Sequence, residues 1–195
     1  MTVVLASTSA IRRALLECAV LDFIVCPPET DEAALARDAG KVGPGRLAQI
    51  LANAKAVSVS NRSGTDFVIG ADQVLSIDNL VLGKPASIDD ATRQLRLLRR
   101  REHLLQSAVC VAKDGIEQWS FVGTARLKMR DFSDAFLKAY LENIGSDALT
   151  SVGGYKIEGL GIQLFECIEG DYFTILGLPL LPLLDFLRRQ GAIPS

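Results

Sequence analysis

The sequence contains a single histidine, His103, among 195 residues. A two-histidine zinc motif is therefore excluded, and any histidine-dependent triad would have to be built on that one ring. Cysteine is sparse as well. Cys18, Cys26, Cys110 and Cys167 lie far apart, without the short paired spacings of zinc or redox motifs, and read as isolated thiols of a reducing compartment. No apolar run is long enough to span a membrane, since the richest stretch, 176–187, is interrupted by Pro179, Pro182 and Asp185. A basic leader is missing, and Ser7 and Arg12 follow the first apolar residues too closely for a signal peptide. These absences predict a cytoplasmic protein without a membrane partner. An excess of one charge sign is also lacking: 21 Lys+Arg against 23 Asp+Glu give a net charge of −2, which argues against a nucleic-acid polymer as partner. There is no Gly/Ser linker, low-complexity tract or internal repeat, so residues 1–195 are predicted to form one domain. The usual nucleotide and hydrolase signatures are absent too: no Gly-x4-Gly-Lys-Ser/Thr, no Gly-x-Gly-x-x-Gly, no Gly-x-Ser-x-Gly.

What is present is an ordinary folding composition, 49% hydrophobic and 23% charged, which excludes general disorder. Thr2–Ala6 reads as a buried strand, followed by a helix capped by Ser9 and running to about Ala19, then a strand over Asp22–Cys26. Pro44 to about Ser60 is a helix with Leu47, Ile50, Leu51, Ala54 and Val57 on one face. A strand over Asp66–Leu75 precedes a basic amphipathic helix, Asp89–Arg101, with Leu95, Leu97 and Leu98 inward. Leu104–Ala112 and Ile116–Met129 flank Asp114-Gly115 and read as a long hairpin. Phe132–Asn143 is helical, Gly161–Ile168 and Asp171–Ile175 are strand-like, and Leu178–Arg189 is a closing helix. Helices and strands alternate without a regular repeat, so the expected class is α/β or α+β around a mixed, twisted sheet with flanking helices.

Six segments carry polar chemistry. In Leu5–Arg13 a strand end meets a helix N-terminus, whose free backbone N–H groups face an anion. With Ser9 as cap, Arg12 falls at the third helical position, where a cation opposes the helix dipole. It is either a tolerated surface charge or, with Ser9, a phosphate clamp. Asp72 sits inside an apolar strand, where an unpaired carboxylate is costly, and must meet a cation, a metal or several donors. A structural salt bridge is the alternative. Lys84 is held between Gly83 and Pro85 in a tight turn, either solvated or brought to the same site as Asp72. Lys55 lies roughly 80° from Leu47 around its helix, at the edge of the apolar stripe, where snorkelling is the default. Asp31-Glu32 reads equally well as helix capping. The glycine-rich segment 153–161 carries one carboxylate, Glu158. Together these supply three cations, several carboxylates and a helix N-terminus, the inventory for a polyphosphate with a divalent metal, Mg²⁺ or Mn²⁺.

The same segments, in this order, resemble the Maf family of nucleoside triphosphate pyrophosphatases. The matching features are Leu-Ala-Ser-x-Ser-x-x-Arg, Asp-Glu, Ala-Lys-Ala, Gly-Ala-Asp-Gln, Gly-Lys-Pro, Gly-Leu-Gly, Ile-Glu-Gly-Asp-Tyr and Leu-Gly-Leu-Pro. The resemblance implies a two-lobed, inosine triphosphatase-like α/β fold around a central cleft, frequently a homodimer. It also implies metal-dependent hydrolysis of a nucleoside triphosphate to the monophosphate and pyrophosphate. By position, Asp72 matches the proton acceptor, with Glu32, Lys55 and Lys84 beside it. Ser9, Arg12 and Arg13 match the phosphate-binding tract, and Glu32 and Asp72 the metal ligands.

Within the family, Ile11, Gln73 and Glu158 depart from the branch that cleaves dTTP and UTP, and instead resemble the branch that cleaves 7-methyl-GTP. A carboxylate can accept from both Watson–Crick-edge donors of guanine, whereas uracil and thymine offer one imide N–H between two acceptors; N7-methylation also makes the base cationic. The alternatives are a dTTP/UTP pyrophosphatase and a nucleotide-binding regulator of septum formation with little turnover. For Glu158 they are a metal ligand or an internal ion pair.

Overall fold

The computed structural model describes residues 2–63, 67–78 and 80–194. Among them are seven strands and seven α-helices. The chain starts with β1 (Val3–Ala6), whose four side chains are all buried, as expected of an apolar run flanked on both sides by parallel partners. Those partners are β2 (Phe23–Val25) and β3 (Phe67–Ile77). Helix α1 (Ala10–Cys18) connects β1 to β2, and Ser9 caps it by accepting from the Arg12 amide at 3.5 Å. Next come α2 (Glu32–Asp38) and α3 (Pro44–Ser63), which lead to β3.

Strand β4 (Leu80–Leu82) pairs antiparallel with the end of β3, and α4 (Ile88–Leu98) follows. Strands β5 (Glu102–Lys113) and β6 (Ile116–Met129) are neighbours joined by Asp114 and Gly115, at φ 52° and 74°. Two left-handed residues match the turn to the strand twist, so the hairpin occurs where the sequence placed it. After α5 (Asp134–Ile144), β7 (Phe165–Glu169) pairs antiparallel with β6, and the chain closes with α6 (Tyr172–Ile175) and α7 (Leu180–Arg189). The sheet order is β2-β1-β3-β5-β6-β7, with β4 on β3, a mixed α/β sheet as expected. No helix among the described residues is long and apolar enough to cross a membrane.

Several local expectations are corrected. The buried face of α3 is Ala48, Leu51, Ala52, Lys55, Ala56, Val59 and Ser60; of the stripe read from the sequence only Leu51 is buried. The cause is Gly70 in β3: a Cβ there would fall 2.6 Å from the Ala56 nitrogen, so the helix backbone lies against the strand and only small residues fit between them. Helix α4 stops at Leu98 because Arg99 is extended and Arg100 is left-handed at φ 64°, and Leu97 is only half-buried. Residues 160–164 form a 3-10 turn instead of a strand, with Gly161 pressed against Lys156 so that a Cβ would meet its nitrogen at 2.9 Å. Residues 172–175 are helical because the Asp171 side chain accepts from the Thr174 amide at 2.7 Å, a cap that outweighs the strand preference of Phe-Thr-Ile. Asp66, the expected start of β3, lies outside the described residues. Helix α7 tolerates its prolines because Pro179 is its cap and Pro182 lies in its first turn, where no N–H is needed.

The chain divides into two compact units: Met1–Gln73 with Gln106–Thr124 and Asp171–Ser195, and Val74–Leu105 with Ala125–Gly170. The first unit packs Leu5, Leu16, Val68 and Ile69 at its centre. The second is built on Leu95, Leu98, Leu127, Leu137 and Tyr140, and also contains His103. That ring is 2% exposed, its Nε2 lies 2.8 Å from the Tyr155 hydroxyl, and burial lowers its pKa to about 4.

Candidate functional site

Gly70 and Asp72 are two residues apart in β3 and therefore face the same side of the sheet. Ala52, Lys55 and Ala56 share one face of α3 by their three- and four-residue spacing. The close approach at Gly70 thus carries Lys55 over the strand to Asp72. Its Nζ is 2.5 Å from Asp72 Oδ1 and 3.0 Å from Glu32 Oε1. Lys55 is 6% exposed and Asp72 8%, so snorkelling does not occur. The Asp31-Glu32 ambiguity resolves into a division of labour. Asp31 caps α2 by accepting from the Ala34 amide at 2.9 Å, leaving the half-exposed Glu32 carboxylate to meet Lys55.

Arg12 is not a stray surface charge. Its Nε donates to the Gly177 carbonyl at 2.9 Å and its Nη1 to the Ala71 carbonyl at 2.8 Å. Burial pulls the guanidinium below its ordinary pKa, while Asp72 and then Glu32 push it back up. Nη2 has no protein partner among the described residues. Gly177, at φ 93°, turns its carbonyl to Arg12 at a conformation that L side chains rarely adopt.

Gln73 makes a matching connection. Its Nε2 donates to Ser107 Oγ at 2.9 Å, to the Thr174 carbonyl at 3.2 Å and to the Ile175 carbonyl at 2.9 Å, while Ser107 donates to the Thr174 carbonyl at 2.7 Å. Carbonyls only accept, so the NH₂ group must face them and Oε1 must face away. Oε1 has no protein donor among the described residues, and Gln73 therefore presents an acceptor. Both neighbours of Asp72 are tied to the segment 174–177, Ala71 by Arg12 and Gln73 by its own amide. Ser107, Thr174 and Gly177 were not singled out by sequence reading; only Gly177 falls within a matched motif, Leu-Gly-Leu-Pro. Gly123 leaves room for Thr174, since a Cβ there would fall 2.5 Å from its Oγ1.

Ser9, Arg12, Glu32, Lys55, Asp72 and Gln73 all belong to the first unit. Arg13 is exposed and lines a shallow depression with Glu17, Leu21, Asp22, Phe23 and Val25, none of which belongs to the group around Asp72. Ile11 is partly buried on α1. Lys84 and Glu158 lie in the second unit, both exposed. The Lys84 turn is fixed at its far end by the Ala86 amide, which donates to Asp90 Oδ2 at 3.1 Å and, more than any other contact, lowers the pKa of that carboxyl. Glu158 makes no hydrogen bond or ion pair among the described residues, so the internal ion-pair alternative is not realised. Among the described residues no three His, Cys, Asp or Glu side chains cluster around a metal position. The pair Glu32 and Asp72 nonetheless suits Mg²⁺ or Mn²⁺, hard cations that keep waters and are completed by substrate phosphate oxygens.

The family model described as "Maf-like protein" matches residues 2–190. The chain is 48% identical over 192 residues to a Rhizobium etli protein named 7-methyl-GTP pyrophosphatase, covering 97% of this chain and 96% of the other. It is 48% identical over 187 residues to a Rhodopseudomonas palustris protein named nucleoside triphosphate pyrophosphatase, covering 96% and 93%. A solved nucleoside-triphosphatase / dITP/XTP pyrophosphatase from Mycobacterium abscessus is 15% identical, with a TM-score of 0.47 over 98% of this chain and 95% of that one.

Proposed function

The chain belongs to the Maf family, and from that premise we propose that it hydrolyses a nucleoside triphosphate to the monophosphate and pyrophosphate. The observation that carries this reading is the buried Lys55 between Asp72 and Glu32, with Arg12 alongside. Asp72 accepts the proton of the attacking water. Lys55 and the free Nη2 of Arg12 offset charge developing on the phosphates, which is where preorganised donors contribute most. Glu32 and Asp72 would hold Mg²⁺ or Mn²⁺, which when bound supplies Lewis acidity and charge neutralisation. For Lys84 and Glu158, the phosphate and base roles rest on the family resemblance alone.

Within that activity the proposed substrate is 7-methyl-GTP. Relatives bearing either name are equally similar, so overall identity does not separate the branches. Support comes from Gln73, whose outward acceptor suits a base edge that offers donors. Pyrophosphate release from 7-methyl-GTP, GTP, dTTP, UTP and CTP tests both levels. The expected order puts 7-methyl-GTP first. Preference for dTTP or UTP would reject the base assignment alone, and no turnover on any of them would favour a nucleotide-binding regulator.

A further inference from the structure

Lys55 Nζ occupies the place where a cation shared by Glu32 and Asp72 would sit, at 3.0 and 2.5 Å from one oxygen of each. We infer that Lys55 is the resident counter-ion of the metal position, and that its departure couples metal binding to triphosphate binding. The inference rests on the proposed assignment of Glu32 and Asp72 to the metal. The two carboxylates carry two negative charges, and the ammonium already neutralises one. A divalent cation reaching the same oxygens must displace Lys55 from at least one of them, because two cations on one oxygen pair repel. Lys55 is buried, and an ammonium leaving its carboxylates there needs another anionic partner. Among the described residues Lys55 has no ion-pair partner besides Glu32 and Asp72, and Arg12, which interacts with both carboxylates, adds to the local positive charge. A triphosphate supplies both missing parts, oxygens that accept from Lys55 and oxygens that complete the coordination of the metal. The nucleotide-free protein therefore binds divalent metal weakly, and the metal is held firmly only with the triphosphate.

The test is Mn²⁺ binding followed by its paramagnetic resonance signal, with and without a guanosine triphosphate analogue bridged by methylene between the α and β phosphorus atoms. The wild type is expected to bind Mn²⁺ at least tenfold more tightly with the analogue than without it. Lys55→Met is expected to bind Mn²⁺ alone at least tenfold more tightly than the wild type, even though it turns over poorly. Lys55→Gln, which loses the charge and keeps donors, carries the same expectation if the methionine variant does not fold. Equal Mn²⁺ affinity in the wild type with and without analogue, or no tightening in either Lys55 variant, overturns the inference. Glu32→Gln and Asp72→Asn separate this from failure of the metal assignment. If they weaken Mn²⁺ in the analogue complex while the Lys55 variants show no tightening, only the role of Lys55 is wrong. If neither weakens it, the metal ligands are wrong, and the inference falls with them.

Discussion

A Cβ built on Gly70 would lie 2.6 Å from the amide nitrogen of Ala56, so β3 and α3 meet backbone to backbone at the residue next to Lys55. The ion pair between Lys55 and Asp72 depends on that approach. Gly70→Ala should push the helix outward and lengthen the pair. Overpacking of this kind costs about 1–3 kcal/mol. Melting temperature and kcat should fall together, which thermal unfolding and pyrophosphate release would measure side by side. Unchanged kcat in a destabilised variant would show that the glycine serves packing alone.

Arg12 carries a structural share that a charge at a helix N-terminus does not announce. Arg12→Ala removes a cation opposed to the helix dipole, an effect that by itself stabilises. It also strips the Gly177 and Ala71 carbonyls of their donor, and buried acceptors left unpaired cost about 1–3 kcal/mol each. The second effect is larger, so the variant should melt lower and also show a raised KM for triphosphate. A lower melting temperature without any change in KM would make Arg12 purely structural.

The paired exchange Gln73→Thr with Glu158→Gln should move kcat/KM from guanine toward pyrimidine triphosphates, at some cost in stability. Threonine is too short to reproduce the amide contacts to Ser107, Thr174 and Ile175. Gln73→Glu is the sharper probe, since it turns an oxygen toward two carbonyls and should lower the melting temperature through repulsion and lost donors. A fully stable Gln73→Glu would contradict the amide orientation assigned here. Loss of turnover on every substrate in Glu158→Gln would place Glu158 with the metal.

His103 gives the second unit a pH signature. Its pKa is about 4 in the folded protein against 6.5 for an ordinary histidine, with burial as the cause. Between those values the unfolded chain binds a proton that the folded one does not, so stability is complete above about pH 6.5 and declines as pH falls toward 4. The decline from this ring amounts to about 3 kcal/mol. Because His103 is the single histidine, His103→Gln should flatten the dependence of melting temperature on pH in that window. Identical slopes in both proteins would remove the ring as the cause.

Local chemistry was legible in the sequence wherever neighbours in the chain decide the outcome. Asp114-Gly115 gave the β5–β6 hairpin, Ser9 capped α1, and Asp72 stood out because a carboxylate in an apolar strand needs a partner. Non-local geometry was hidden. The inward face of α3 was misread because hydrophobic periodicity favours bulky residues, whereas Gly70 selects the alanines and leaves Lys55 buried. Arg12 meets residues 59 and 165 positions away, and Gln73 meets residues up to 102 away, contacts that no spacing rule reveals. The strand expected at 171–175 became a helix because one cap, Asp171, outweighed four β-favouring residues.

In the proposed mechanism Asp72, paired with Lys55 and backed by Glu32, takes the proton from the attacking water. That role is tested most directly by the rate of pyrophosphate release in Asp72→Asn, measured beside the circular dichroism spectrum and the affinity for a non-hydrolysable triphosphate. Losing a positioned base costs about 10² or more in rate. The expected variant is folded, binds the analogue and releases pyrophosphate at least a hundredfold more slowly. A folded Asp72→Asn with near-normal kcat would contradict that role.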